Sequence, residues 1–382
     1  MALRSTFAIT SGLQYRLRAA GALLGVTDNT LRTYSDNAGI EVKRASDFSP
    51  GAPPVRVFLP ETLFQLAQWR RAQGYIKIPQ FARSPIVLAI YVIKGGTGKT
   101  TTAVELAVHL QMMGLRVALI DIDIQGNATQ SMGYEPDLTM DEATAYEVNA
   151  DAIVQDTFAS IMLPFLDRSR GSLALRAEVG EGVIKKPFGE HGPHLIPADT
   201  FIGDLEQGLA LAKGQRELYI RQMIEASKDG SVPGFNASNY DVILFDCPPN
   251  VSFTSTAAMA AADIVVSPIR LDAFSVKGLT KVMNEITAMD EAYKLRPQLV
   301  ILPTHYSPHL ARIGRMQSQL NKYRDMLAPN VISTSEEFPK SLENYLPLSL
   351  QKPTSTPASE YRMFAEFMFK KIVDLGSKGG GK

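Results

Sequence analysis

The sequence has a single cysteine, Cys247, among 382 residues. One thiol cannot close a disulfide or build a multi-cysteine metal centre, so a disulfide scaffold and a cysteine-ligated iron–sulfur cluster are both excluded. No apolar run is long enough to cross a bilayer, and no basic-then-apolar leader opens the chain. These absences lead us to expect a reducing, cytoplasmic setting without stable membrane association. Net charge is also lacking, with 39 Lys+Arg against 39 Asp+Glu, while 45% hydrophobic and 20% charged residues are ordinary for a globular protein.

That balance hides an asymmetry. Residues 1–84 hold eleven Lys/Arg and five Asp/Glu, which leaves 28 against 34 for the rest. A basic amino-terminal module on an acidic body suggests a nucleic-acid partner. Within it, "LRAAGALLGVTDNTLRTYSDNAG" (17–39) predicts two short helices. Leu17, Ala20, Leu23 and Leu24 form an apolar stripe, Gly25 breaks it, and Thr27 caps a second helix beginning near Asp28. That helix should turn Leu31 inward and show Asn29, Arg32 and Thr33 outward. A Pro/Gly-rich loop (49–54) and "VRVFLPETLFQLAQWRRAQG" then predict a short strand and an amphipathic helix. The layout suits a winged helix-turn-helix. It resembles the MerR type of DNA-binding domain, in which a Gly-Val-Thr turn precedes Thr-Leu-Arg-x-Tyr; here these are Gly25, Val26, Thr27, Thr30, Leu31, Arg32 and Tyr34.

From Pro85 strands and helices alternate. "PIVLAIYVI", "RVALIDID", "YDVILFDCPP", "DIVVSPIR" and "PQLVILPTHY" read as five buried strands, and "TTTAVELAVHLQMMG" as a helix closed by Gly114. Near-continuous Val/Ile/Leu strands between helices predict an α/β fold with a doubly wound, mostly parallel sheet. We expect an amino-terminal domain over 1–80, a second over 86–375, and a flexible tail, 376–382. Residues 135–195 show no regular pattern.

Three segments carry chemistry. Gly95, Gly96, Gly98, Lys99 and Thr100 lie between a strand and a helix, the context of a phosphate-binding loop. Glycines let backbone N–H groups approach phosphate oxygens, and the helix terminus adds positive potential. Lys99 is placed to reach the β/γ-phosphates, and the Thr100 hydroxyl to bind Mg²⁺. The ordinary form would have glycine at 93, where this chain has Ile93, followed by Lys94. "LIDIDIQGNAT" sets Asp121 and Asp123 at the end of a strand, where both carboxylates can face the phosphates, with Gln125 and Asn127 beyond. "VILFDCPP" ends a strand at Asp246, a carboxylate placed to hold Mg²⁺.

Together, "KGGTGKTTT", "LIDIDIQGNAT" and "DVILFDCPP" resemble the deviant Walker A, A′ and Walker B segments of the ParA/MinD-type ATPases. "HLIPAD", "DIVVSPIRLDAFSVKGL" and "VILPTHYSP" sit where that family has its later signatures, and the likeness spans about 86–375. With the amino-terminal module it is similar to the larger, plasmid-type ParA partition proteins. The resemblance implies ATP and Mg²⁺ as cofactors. It implies nucleotide contacts from Gly95, Gly96, Thr97, Gly98, Lys99, Thr100, Thr101 and Pro303, and metal contacts from Thr100, Asp123 and Asp246. It further implies catalytic roles for Lys94, Lys99 and Asp123. Lys94 would cross a homodimer interface to the partner's phosphates, Gly95 would let the two backbones approach, and Asp123 would position the attacking water. A ParB-type centromere-binding protein, operator DNA, non-specific DNA and a nucleoid-associated location follow from the same likeness. Thr97 for valine, Ile124 for proline and Cys247 for a small polar residue depart from the commonest form without removing a phosphate or metal ligand.

Two further readings stay open at this level. A MinD-like positioning ATPase would need an amphipathic anchor, and "YRMFAEFMFKKIV" has that pattern, although Phe364, Phe367 and Met368 are expected to pack as a last helix. A nucleotide-responsive repressor without hydrolysis is the other. Finally, "HLARIGRMQSQLNKYR" puts Arg312, Arg315, Lys322 and Arg324 on one apparent helix, either a solvated face or a DNA-tracking one.

Overall fold

The computed structural model describes residues 12–82, 84–146, 148–169, 181–270, 273–307 and 321–378. Helix α1 (Leu17–Leu24) ends at Gly25 in the left-handed region, φ 66°, a conformation glycine adopts without strain. Helix α2 (Asp28–Asn37) follows, with the Thr27 side chain accepting from the Thr30 N–H at 3.2 Å. Leu31 is fully buried, while Asn29, Arg32 and Thr33 are exposed. Strands β1 (Lys43–Arg44) and β2 (Arg56–Val57) form an antiparallel hairpin, and helix α3 (Pro60–Ala72) closes the segment.

The main sheet contains β3 (Ile86–Ile90), β4 (Val117–Asp121), β5 (His194–Ile196), β6 (Val242–Asp246), β7 (Ile264–Arg270) and β8 (Gln298–Thr304). Its order is β5-β4-β6-β3-β7-β8, and every pairing is parallel. Five strands are those the apolar runs predict. The sixth, β5, begins at the very end of the stretch without regular pattern. Three residues at the sheet edge, pairing Ala118 with His194, are too few to produce a visible alternation.

Side-chain alternation divides the interior into two layers. Val87, Ala89, Ile120, Ile243 and Phe245 face one side, and Ile86, Leu88, Ile90, Leu119 and Leu244 face the other. The second layer holds helix α4 (Lys99–Met112), and its apolar cluster continues without a break into Leu23, Leu31, Phe58 and Phe64 of the amino-terminal segment. Polar ties reinforce that junction. Arg71 of α3 binds both carboxylate oxygens of Asp241 and donates to the Gly114 carbonyl at 3.0 Å. The Tyr15 hydroxyl donates to the Leu350 carbonyl at 2.6 Å.

Helix α5 (Phe253–Ala261) and helix α6 (Ala273–Tyr293) serve the first layer. Helix α7 (Thr356–Ser377) packs along α4, with Phe364 and Met368 fully buried and Phe367 half-buried. Its apolar face is therefore occupied within the fold. The helix runs on to Ser377, into the stretch expected as tail. No helix among the described residues is long and apolar enough to cross a membrane.

Candidate functional site

The loop between β3 and α4 reverses direction through Gly96 (φ 67°) and Gly98 (φ 85°), both in the left-handed region. Gly98 then serves as N-cap of α4, so the helix begins at Lys99 with its N–H groups facing the loop. Lys99 is only 7% exposed, and its ammonium donates to the Lys94 carbonyl at 2.9 Å, closing the loop on itself. Burial lowers its pKa, resisted by the charges of Asp246 and Asp123. Opposite, β8 ends on the same loop: the Thr304 hydroxyl donates to the Thr97 carbonyl at 2.8 Å.

These elements border a cleft of about 680 Å³. Gly95, Gly96, Gly98, Lys99, Thr100, Thr101 and Asp123 line it, as do Gln125, Asn127 and Pro249. The cleft thus brings together seven of the positions expected to hold nucleotide or metal: Gly95, Gly96, Gly98, Lys99, Thr100, Thr101 and Asp123. Thr97 is 1% exposed, and among the described residues its buried hydroxyl has no hydrogen-bond partner. Pro303 is buried in β8, and its successors Thr304 and His305 face the cleft. Lys94 is half-buried at the loop entrance, outside the lining.

Asp246 is fully buried and, like Asp121, lies outside the cleft lining; among the described residues neither of its carboxylate oxygens has a hydrogen-bond partner. Burial raises its pKa well above the usual range, and the neighbouring Asp121 and Asp123 push it further up. The Thr100 hydroxyl and Lys99 ammonium favour the anion without making hydrogen bonds of ordinary geometry. A carboxylate kept in this state asks for a cation. The hard oxygen donors of Asp246, Thr100 and Asp123 suit Mg²⁺, which takes few protein ligands and keeps its remaining positions for water and phosphate.

Asp121 behaves differently from the expectation that both A′ carboxylates face the phosphates. It is fully buried and lies outside the cleft lining. Its oxygens accept from the Asp123 N–H (3.1 Å), the Thr129 N–H (2.9 Å) and the Thr129 hydroxyl (2.8 Å). Burial pushes its pKa up to about 6 against those bonds. The strand ends at Asp121, so the two-residue alternation does not continue to Asp123.

The far wall, Ile332, Thr334, Ser335, Glu336, Phe338, Pro339 and Leu342, together with Tyr361 of α7, gives no signal in the sequence. Tertiary bonds hold it: the Ser333 N–H and hydroxyl donate to Glu360 at 2.7 and 2.6 Å, and Tyr361 meets Thr102 of α4 at 3.1 Å. Thr304 and His305 were within reach, because they follow an apolar strand as Asp246 does. Arg312 and Arg315 lie outside the described residues. Of the apparent helix over 309–324 the described end, Asn321–Met326, is a 3-10 turn with a non-helical Tyr323, and it leaves Lys322 and Arg324 exposed.

A six-stranded parallel sheet with a glycine loop leading into a helix defines a P-loop ATPase fold. Residues 86–301 match the family model described as an AAA domain. The sporulation initiation inhibitor protein Soj of Bacillus subtilis (strain 168) is 28% identical over 280 residues, 72% of this chain and 94% of that one. The chromosome partitioning protein ParA of Caulobacter vibrioides is 33% identical over 217 residues, 56% of this chain and 66% of that one. Among solved structures, the cobyrinic acid a,c-diamide synthase of Mycobacterium smegmatis, with bound ATP analog and magnesium, superposes with a TM-score of 0.55. It is 22% identical and covers 75% of this chain and 95% of that one, a likeness of fold alone. The chain belongs to the AAA-domain family as a partition ATPase of the ParA/Soj type.

Proposed function

We propose that the chain binds ATP with Mg²⁺ in this cleft, hydrolyses it to ADP and phosphate as an ATP-sandwich homodimer, and uses that cycle to segregate DNA. The observation that carries the reading is a glycine loop and a buried ammonium between β3 and α4, beside a buried carboxylate at the end of β6 that has no hydrogen-bond partner among the described residues. Backbone N–H groups from Gly95 to Thr101 cradle the phosphates, and Lys99 exchanges the Lys94 carbonyl for the β/γ-phosphates. Thr100, Asp123 and Asp246 hold the metal, which when bound neutralises phosphate charge. Asp123 also orients the attacking water.

Lys94 serves the partner's nucleotide. Two facts support this: it stands outside its own cleft, and a Cβ on Gly95 would meet nothing within 4 Å, which leaves the loop open to a second backbone. A cation supplied in trans stabilises charge between facing sites as an arginine finger does.

In the same reading residues 1–80 are the DNA-binding module, 86–375 the ATPase and 376–382 a tail. The exposed Asn29, Arg32 and Thr33 of α2 read an operator, which makes the protein a repressor of its own operon. Arg312 and Arg315 track non-specific DNA, a ParB-type protein stimulates turnover, and the protein works in the cytoplasm on the nucleoid. The occupied apolar face of α7 speaks against a MinD-like anchor.

Phosphate release, nucleotide titration and light scattering test the core of this. Lys99→Ala should lose nucleotide binding. Lys94→Ala should keep nucleotide but lose ATP-dependent dimers or hydrolysis, and Asp123→Ala should dimerise but hydrolyse poorly. Wild-type dimerisation and turnover in Lys94→Ala would refute the trans role.

A further inference from the structure

The loop that carries Asp123, Gln125 and Asn127 to the cleft is held by side chains and by one main-chain turn, the Gly126 N–H donating to the Asp123 carbonyl at 2.9 Å, rather than by the sheet. Strand β4 stops at Asp121, and beyond Ile122, whose N–H donates to the Asp246 carbonyl at 3.1 Å, main-chain pairing to the neighbouring strand ends. From there to Thr129 the chain is bracketed by the Asp121 carboxylate. One oxygen takes the Asp123 N–H, and the other takes both the N–H and the hydroxyl of Thr129, eight residues along the chain from Asp121. The Thr129 oxygen in turn accepts the Ala198 N–H at 2.9 Å, from the segment that leaves β5. Thr129 and Ala198 are both fully buried, so no water substitutes for either bond.

The Thr129 hydroxyl is thus the point where three elements meet: the strand end, the short helix Asn127–Ser131 and the edge strand's exit. It donates to the carboxylate that fixes the Asp123 backbone, and it accepts from the sheet edge. The Asp123 side chain is held only locally among the described residues, where it accepts the Gln125 N–H at 3.1 Å.

We propose that Thr129 is a positioning residue for hydrolysis, acting through Asp121 to set the Asp123 carboxylate; this rests on Asp123 orienting the attacking water. A group that touches neither nucleotide nor metal governs turnover by fixing one that does. Supporting contacts of this kind typically change activity by about 10–100-fold, and a shift of roughly 1 Å at the reacting centre costs about as much.

The test uses the full chain, single-turnover phosphate release, titration with a non-hydrolysable ATP analogue, and thermal midpoints. Thr129→Val keeps the shape and removes both bonds. It should slow hydrolysis by about 10–100-fold with analogue affinity within about threefold of wild type, and Thr129→Ser should restore the rate. In an Asp123→Ala background the same substitution should change the residual rate by less than about twofold, because coupled residues are not additive. Turnover within about threefold of wild type in Thr129→Val overturns the proposal. So does a parallel fall in rate, affinity and midpoint that serine does not rescue, which marks a structural role. Wild-type turnover in Asp123→Ala would instead remove the reading beneath it.

Discussion

Asp241 is the anchor on which the amino-terminal segment is fastened to the sheet, and its removal has a cost that the geometry ranks. The carboxylate is 6% exposed. It accepts from Arg71 through both oxygens, from the Arg116 side chain at 3.1 and 3.3 Å, and from the Arg116 N–H at 2.7 Å. The two arginine side chains are 27% and 47% exposed. Deleting one member of a fully buried pair costs about 3–5 kcal/mol because the other charge is stranded. Here the survivors of Asp241→Ala are arginines that water can reach, so the loss falls to roughly 2–3 kcal/mol. Arg71→Ala leaves the carboxylate with Arg116 and should cost about 1–2 kcal/mol, and Arg116→Ala less still, being nearer the surface. Burial alone would raise the Asp241 pKa, but the bonds from Arg71 and Arg116 outweigh it and hold the carboxyl below the usual range. A depressed folded value gives stability that is present above the unfolded value and lost as the pH falls through the folded one. The Asp241→Ala deficit should therefore be full at pH 7 and shrink below pH ~4. Urea melts at both pH values, with limited proteolysis across residues 73–85, decide the matter. A deficit under about 0.5 kcal/mol at pH 7, or Arg116→Ala costing more than Asp241→Ala, would refute the reasoning.

Thr97→Val should raise stability by up to about 1 kcal/mol in a urea melt and leave phosphate release unchanged, because it removes a buried hydroxyl that has no partner. Glu105, fully buried against Ser349, has its pKa pushed up to about 7, mainly by burial. The folded state therefore holds a proton that the unfolded state has released, and stability falls as the pH rises from 4.5 to 7. Glu105→Gln should gain roughly 3 kcal/mol over wild type at pH 8 and lose that advantage below pH ~4.5 in paired melts. Phe364→Ala should cost about 3–5 kcal/mol in the same assay, since α7 has no other way to fill that part of the α4 face.

How much the sequence makes legible depends on how local each signal is. The glycine loop, Asp123 and Asp246 can be located from the sequence because strand ends and a strand-to-helix turn leave short contiguous marks. Leu31 and the Thr27 cap are readable for the same reason. Asp121 misleads, because a strand alternation counts two residues only while the strand lasts. The far wall from Ile332 to Leu342 and the Arg71–Asp241 clamp are invisible in the chain. Each depends on residues far apart in sequence, with Arg71 and Asp241 separated by 170 positions. Strand β5 is missed through brevity, although its exit supplies the Ala198 N–H that secures the Asp123 loop.

Helix α4 carries Lys99 and is made early in synthesis, yet its outer side is covered by segments from both ends of the chain. The amino-terminal helices precede it, but α7, which brings Tyr361 to the cleft and Phe364 to the α4 face, comes some 250 residues later. A chain still on the ribosome therefore has its phosphate loop long before it has a closed cleft, and until then the apolar side of α4 is a surface for chaperones or for misassembly. A fragment ending before Thr356 should be released as a client of quality control rather than as a weak ATPase.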